Sequence, residues 1–263
     1  MNRFFLLILL CLGVACKDAS NKTAATFEAS KKESILAEVE SEIIVENSID
    51  SIALGINFSP NGNYNTIKQT IKTDRAYFKR LLQQNKEKAI DTASKYLYHK
   101  LLNEIVPHWY GTPWDFNGHT DIPNDSEIAC GYFVSTTLRH LSFRLNRFKM
   151  AQQAGLNEAI TLQPKNELKI YRNISQDQLK IKLNKVYADG LYFVGLSNHV
   201  GYVLIKNKEL YFLHSSYYDN KVIIEEAATS PCFQSDIYVF AEITSNRELI
   251  QKWIQNKTIP VHQ

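Results

Sequence analysis

The chain has 263 residues, with 30 Lys and Arg against 27 Asp and Glu, a formal net charge of +3. That excess is too small, and too scattered, for a nucleic-acid binder. With 44% hydrophobic residues, 14 Tyr and 13 Phe but only 7 Pro and 10 Gly, the chain can build one sizeable domain plus an appendage, or two small ones. A long low-complexity region is excluded.

Residues 1–15 read as a signal peptide. Met1-Asn2-Arg3 is a short positive start, and Phe4 to Val14 is an apolar run too short to span a bilayer. Leu12-Gly13-Val14-Ala15-Cys16 resembles a lipobox, in which Cys16 is lipidated and becomes the mature N-terminus. The expected location is outside the cytoplasm: a lipoprotein anchored in the outer membrane, facing the periplasm or the cell surface. Residues 16–70 read as a polar tether followed by a poorly defined segment. Cys130 and Cys232 are the other two cysteines of the mature chain. Their spacing does not demand a disulfide, and there is no Cys-x-x-Cys motif.

Two helices are predicted next, one from Thr73 to about Lys86 and one capped by Asp91 and ended by Pro107. Trp109 to Ser126 is a loop rich in Gly, Pro, Asn and Asp. A helix from Cys130 to about Leu145 and a short one around Met150 to Ala159 follow. After a possible strand at Leu168 to Tyr171 and a helix at Ser175 to Lys185, the pattern becomes β. Strands are predicted at Leu191–Val194, His199–Lys206, Glu209–His214, Val222–Glu225 and Ile237–Ile243. Ser245-Asn246-Arg247-Glu248 reads as a capping box opening a last helix. Helices first and strands after give an α+β class, with the Cys130 helix packed on a mostly antiparallel sheet.

Cys130 stands at the start of a predicted helix, where the helix dipole favours a thiolate and so a nucleophile. Alone, such a cysteine is more often a buried, inert core residue. His199 begins one strand of a hairpin and His214 ends the other. A two-residue turn at Asn207-Lys208 would pair Lys206 with Glu209, setting His214 opposite Gly201 and diagonal to His199. His214 could then accept the His199 Nδ1 proton and orient that ring, as the third member of a triad does. Cys130, His199 and His214 could instead be three zinc ligands, but no carboxylate or fourth ligand stands at a recognisable spacing. No cofactor or metal is expected.

These pieces resemble the NlpC-type papain-like hydrolases of bacterial cell walls. Tyr110-Gly-Thr-Pro-Trp-Asp-Phe-Asn-Gly118 resembles the family's Gly-x-Pro-Tyr-x-x-Gly-Gly loop, and Ala129-Cys-Gly-Tyr-Phe-Val-Ser135 its Asp-Cys-Ser-Gly-Phe-Val segment. Asp189-Gly-Leu-Tyr-Phe-Val194, His199-Val-Gly-Tyr-Val203 and Phe212-Leu-His-Ser-Ser216 resemble its Gly-Asp-Leu, His-Val-Gly-Ile-Tyr and Ile-His-Ala-Ser strands. The resemblance implies a papain-like catalytic domain over residues 71–258, with its core motifs in 109–243 and a C-terminal helix. It implies Cys130 as nucleophile, His199 as general base and His214 as orienting residue. Tyr110, Trp114 and Tyr132 are the implied substrate-binding residues, and a peptide of peptidoglycan is the implied substrate. Ala129 replaces the family's Asp, Gly131 its Ser and Trp114 its Tyr. These departures leave a catalytically idle binding module, or acyl-transfer, esterase or deamidase chemistry on the same fold, as the alternatives.

Overall fold

The computed structural model describes residues 54–56 and 58–263. The expected signal peptide, Cys16 and most of the tether lie outside the described residues.

The helices come first. α1 (Tyr64–Gln84) begins nine residues before its predicted start, because the Asn63 side chain accepts from the Thr66 amide and caps it. α2 (Lys86–His99) is capped in the same way by Asn85, not by Asp91. It runs into a π-helical turn (Lys100–Ile105) and then α3 (Val106–Trp109). Pro107 does not end the helix. It falls in the first turn of α3, where its missing N–H is no loss. α4 (Cys130–His140) stops five residues short of its expected end, where Ser142 takes a positive φ. The short helix expected next is two, α5 (Arg147–Ala151) and α6 (Gly155–Leu162).

The strands are β1 (Lys169–Arg172), β2 (Gly190–Gly195), β3 (Val200–Lys206), β4 (Glu209–Ser216), β5 (Lys221–Glu226) and β6 (Ile237–Glu242), with α7 (Gln176–Val186) between β1 and β2. They form one antiparallel sheet in the order β1-β6-β2-β3-β4-β5. The class is thus α+β, as expected. α8 (Arg247–Ile254) closes the chain, and its cap is Asn246 rather than Ser245.

Both sheet faces are covered, which explains why β3 reads as an unbroken apolar run instead of an alternating one. Tyr202, Leu204 and Leu213 point one way, into a core shared with Phe133, Val134 and Leu138 of α4. Val203, Ile205 and Phe212 point the other way, against Leu179 and Leu183 of α7 and Phe233. The Tyr202 hydroxyl donates to the Val134 carbonyl of α4 at 3.1 Å and bonds the Thr137 hydroxyl at 2.7 Å, so helix and sheet are locked polar atom to polar atom inside the core.

The loop ahead of α4 is held at both ends. Its first part lies along β5, with the Gly111 amide donating to Val222 O and the Trp114 amide to Asn220 O. Its second part is clasped to α4. The Arg147 guanidinium donates to the carbonyls of His119 and Thr120 and to the Thr136 hydroxyl. Asp121 pairs with Arg139 and accepts from His140 Nε2 at 3.0 Å. Tyr64 donates to His140 Nδ1 at 2.7 Å and accepts from Trp109 Nε1.

Candidate active site

The β3–β4 hairpin has the expected register, with Lys206 opposite Glu209 and Tyr202 opposite Leu213. Asn207 and Lys208 both take positive φ, 51° and 67°, the two-residue turn that suits a twisted hairpin. One step further along, Gly201 faces His214. A Cβ there would stand 2.9 Å from the His214 Cβ and 2.6 Å from the Phe212 ring, so only glycine lets His214 lie where it does. His214 is fully buried and stacks on Phe212 with ring centroids 4.0 Å apart.

The two histidines meet as expected, but through a different atom. His199 Nε2, not Nδ1, lies 2.7 Å from His214 Nδ1. The ring enters from the residue before β3, which turns its far nitrogen toward β4 and leaves Nδ1 as the nitrogen free to exchange a proton. His214 Nε2 in turn lies 2.9 Å from Glu225 Oε1, which also accepts from the Ser230 hydroxyl at 2.6 Å. Read as a chain, this fixes the tautomers. Glu225 accepts, so His214 carries its proton on Nε2 and offers Nδ1 as a lone pair. His199 therefore donates from Nε2 and presents a bare Nδ1.

Sequence reasoning missed Glu225. β5 pairs with β4 so that Phe212 faces Glu225 and His214 faces Ile223, which makes Glu225 a diagonal neighbour of His214 on one face. The signal was present in the strand pattern, since an acid beside a predicted β5 core position is unusual. Its position relative to His214 required the register.

Cys130 begins α4 and is partly exposed. Its sulphur interacts with the backbone amides of Val200, Gly131 and Cys130 itself, so the thiol lies against the residue that follows His199. Burial, then the neighbouring Glu158, pushes the thiol up to about 11, and the amides only partly offset this. The helix dipole alone favours a thiolate, but desolvation outweighs it. Burial also holds His199 well below its ordinary value, with His214 adding to the effect, and holds His214 down to about 3. Thiol and both imidazoles are therefore neutral at pH 7.

Cys130 and His199 line one cleft of about 660 Å³, together with Trp114, Phe116, Tyr132 and Tyr217. Trp114 and Tyr132, named from sequence, stand in its wall; Tyr110 is not among its lining residues and packs its ring on Phe58, 4.9 Å between centroids. Tyr217 was not foreseen. Its ring lies edge-on to His199 at 5.2 Å and beside Trp114 at 6.1 Å, and its hydroxyl hydrogen-bonds Asn198 and Cys232. The Gly131 position, where the resembled family has Ser, has a steric cause here: a Cβ would stand 2.6 Å from the Ala151 carbonyl oxygen.

Both thiols are free. Cys232 is buried beside the histidines, and its sulphur lies with one nitrogen each of His199 and His214 within 4.8 Å of one another. Those three groups could approach one cation, which is a different set from the one weighed in the sequence. The 2.7 Å bond between the histidines stands against it, since two nitrogens on one tetrahedral zinc sit roughly 3.3 Å apart. The two histidines are better described as part of a hydrogen-bonded relay that ends beside the Cys130 thiol.

No protein-family model matches the chain, and no curated protein matches it. Two crystal structures of an N-acetylmuramoyl-L-alanine amidase from Bacteroides uniformis ATCC 8492 are distantly similar. They share 12% and 13% identity, cover 57% of this chain and 98% of theirs, and have TM-scores of 0.31 and 0.30. The likeness is too slight to argue from.

Proposed function

We propose that the protein is a thiol hydrolase that cleaves an amide bond in peptidoglycan stem peptides. The observation that carries this is the relay Glu225–His214–His199 ending in a cleft that Cys130 also lines. Because Cys130 and His199 are both neutral, the thiol gives its proton to His199 Nδ1 as the sulphur attacks the substrate carbonyl. The first-turn amides of α4, for which Ala129 supplies no side-chain cap, can hold the oxyanion. Collapse breaks the C–N bond, and His199 returns the proton to the leaving amine. Water, deprotonated by His199, then opens the thioester to the acid and regenerates the thiol.

The substrate class rests on the sequence resemblance and on the reading of residues 1–15 as a signal peptide with Cys16 as a lipid anchor. The same proposal takes residues 71–258 as the catalytic domain and places the protein on the outer membrane. One observation favours a catalytically idle binding cleft instead: the thiol pushed up to about 11. Incubation of the full mature chain with purified muropeptides decides between them. Cleavage by the wild type that is abolished in Cys130→Ala is expected. Equal cleavage by both would remove Cys130 from the mechanism, and no cleavage by either would favour the idle cleft.

A further inference from the structure

A second, smaller chamber of about 210 Å³ adjoins the cleft at Cys130. It shares Cys130, Gly131, Ala151, Gln153, Asn198 and His199 with the large cleft and is lined in addition by Gly155, Glu158 and Leu196, among others. An amide substrate with its carbonyl at Cys130 extends into both spaces, and the smaller one has room for little more than one residue.

Glu158 is the one acidic side chain lining this chamber. It sits on α6 at 1% exposure, and its Oε2 has no hydrogen-bond partner. Burial alone drives its carboxyl well above the ordinary range, with no cation among the described residues opposing the effect. Glu158 and Cys130 both line the chamber, so the carboxyl and the thiol share one space. A buried polar atom left without a partner destabilises the fold, and a leucine or methionine at this place would not carry that cost. A donor arriving with the substrate would satisfy it.

We propose that Glu158 is a specificity residue whose carboxylate receives a primary ammonium group on the substrate residue held in the small chamber. This rests on Cys130 being the nucleophile. An incoming ammonium displaces the proton of the neutral carboxyl to solvent, and the ammonium and carboxylate then pair in a site shielded from water, where the attraction is strong. A neutral apolar group leaves Oε2 unpaired, and an anionic group offers it no donor and is itself desolvated in the chamber without a counter-charge. The chamber therefore selects for charge as well as size.

The test needs no natural substrate. Aminoethyl, methyl and sulfonatoethyl methanethiosulfonates each transfer a thioalkyl group to a thiolate and release methanesulfinate. Their rates at Cys130 in the full mature chain are read by mass spectrometry of the Cys130 peptide, each divided by the rate with free cysteine at the same pH. The wild type is expected to favour the cationic over the neutral reagent by about tenfold, the size of one hydrogen bond to a charged group. Glu158→Gln is expected to bring that ratio to within about twofold of unity, and Glu158→Met to do the same if the amide variant does not fold. No preference in the wild type, or an undiminished preference in the variants, overturns the assignment. Charge preference without muropeptide cleavage would retain the pocket and remove the hydrolase; Cys130-dependent cleavage without charge preference would do the reverse.

Discussion

Glu225→Gln tests the relay at its far end. Glu225 does not line the cleft, so substrate binding should be little changed and the effect should fall on kcat. The carboxylate accepts two bonds on Oε1, from His214 Nε2 at 2.9 Å and from the Ser230 hydroxyl at 2.6 Å. A hydrogen bond to a charged group contributes about 1.5–3 kcal/mol, and a neutral amide retains only part of it. If the amide oxygen still faces His214, the tautomers survive and the loss stays below the roughly 10- to 150-fold that the whole bond is worth. If the amide turns its NH₂ toward His214, the proton on that ring moves to Nδ1. His199 must then carry its own on Nδ1, and the base is lost, a change worth about 10⁴ in a comparable triad. The assay is kcat and KM on a muropeptide that the wild type cleaves, with thermal unfolding as a control for the fold. A folded variant within twofold of the wild type in kcat would show that Glu225 does not set the tautomers, and the relay argument would fail.

Three further outcomes follow from the geometry. Gly201→Ala places a Cβ 2.9 Å from both His214 Cβ and the Leu213 carbonyl oxygen. It should cost about 1–3 kcal/mol in urea unfolding and lower activity further by displacing His214; an unchanged unfolding midpoint would contradict the packing described. Gly131→Ser restores the residue of the resembled family but drives a Cβ to 2.6 Å from Ala151 O, so it should destabilise by a similar ~1–3 kcal/mol and not improve turnover. Burial, against the pull of Asp121, holds buried His140 down to about 4, and burial holds His214 to about 3. A base whose folded value lies below its unfolded value of ~6.5 stabilises the fold above that pH and loses the contribution as pH falls. Stability should therefore decline from pH 6.5 toward 4, by on the order of 3 kcal/mol for His140 alone. An unfolding temperature that is flat over that range, or a decline equally steep in His140→Gln, would refute it.

The resolved geometry also shows why some readings of the sequence succeeded. A two-residue turn and the alternation of strand side chains are local, so Lys206 opposite Glu209, and with it His199 beside His214, could be counted out in advance. The order of helices and strands was legible for the same reason. Element ends were less so, because caps depend on which nearby side chain bonds a free amide. Asn85 caps the helix expected to be capped by Asp91, and Asn246 the one expected to be capped by Ser245.

What the sequence determined by itself was periodicity: the α+β class, the hairpin, and the start of α4 at Cys130. What only the tertiary structure decided was everything that joins separate elements. Glu225 reaches His214 across β4 and β5, Cys232 comes to the histidines from a short helical turn, and Glu158 on α6 lines the same chamber as Cys130. No fixed spacing encodes such meetings, since each depends on how whole elements pack. The protonation of the site belongs to the same class. A helix start favours a thiolate wherever it occurs, but the charge at Cys130 is set by how much water the finished fold removes, and that is a property of the assembled core.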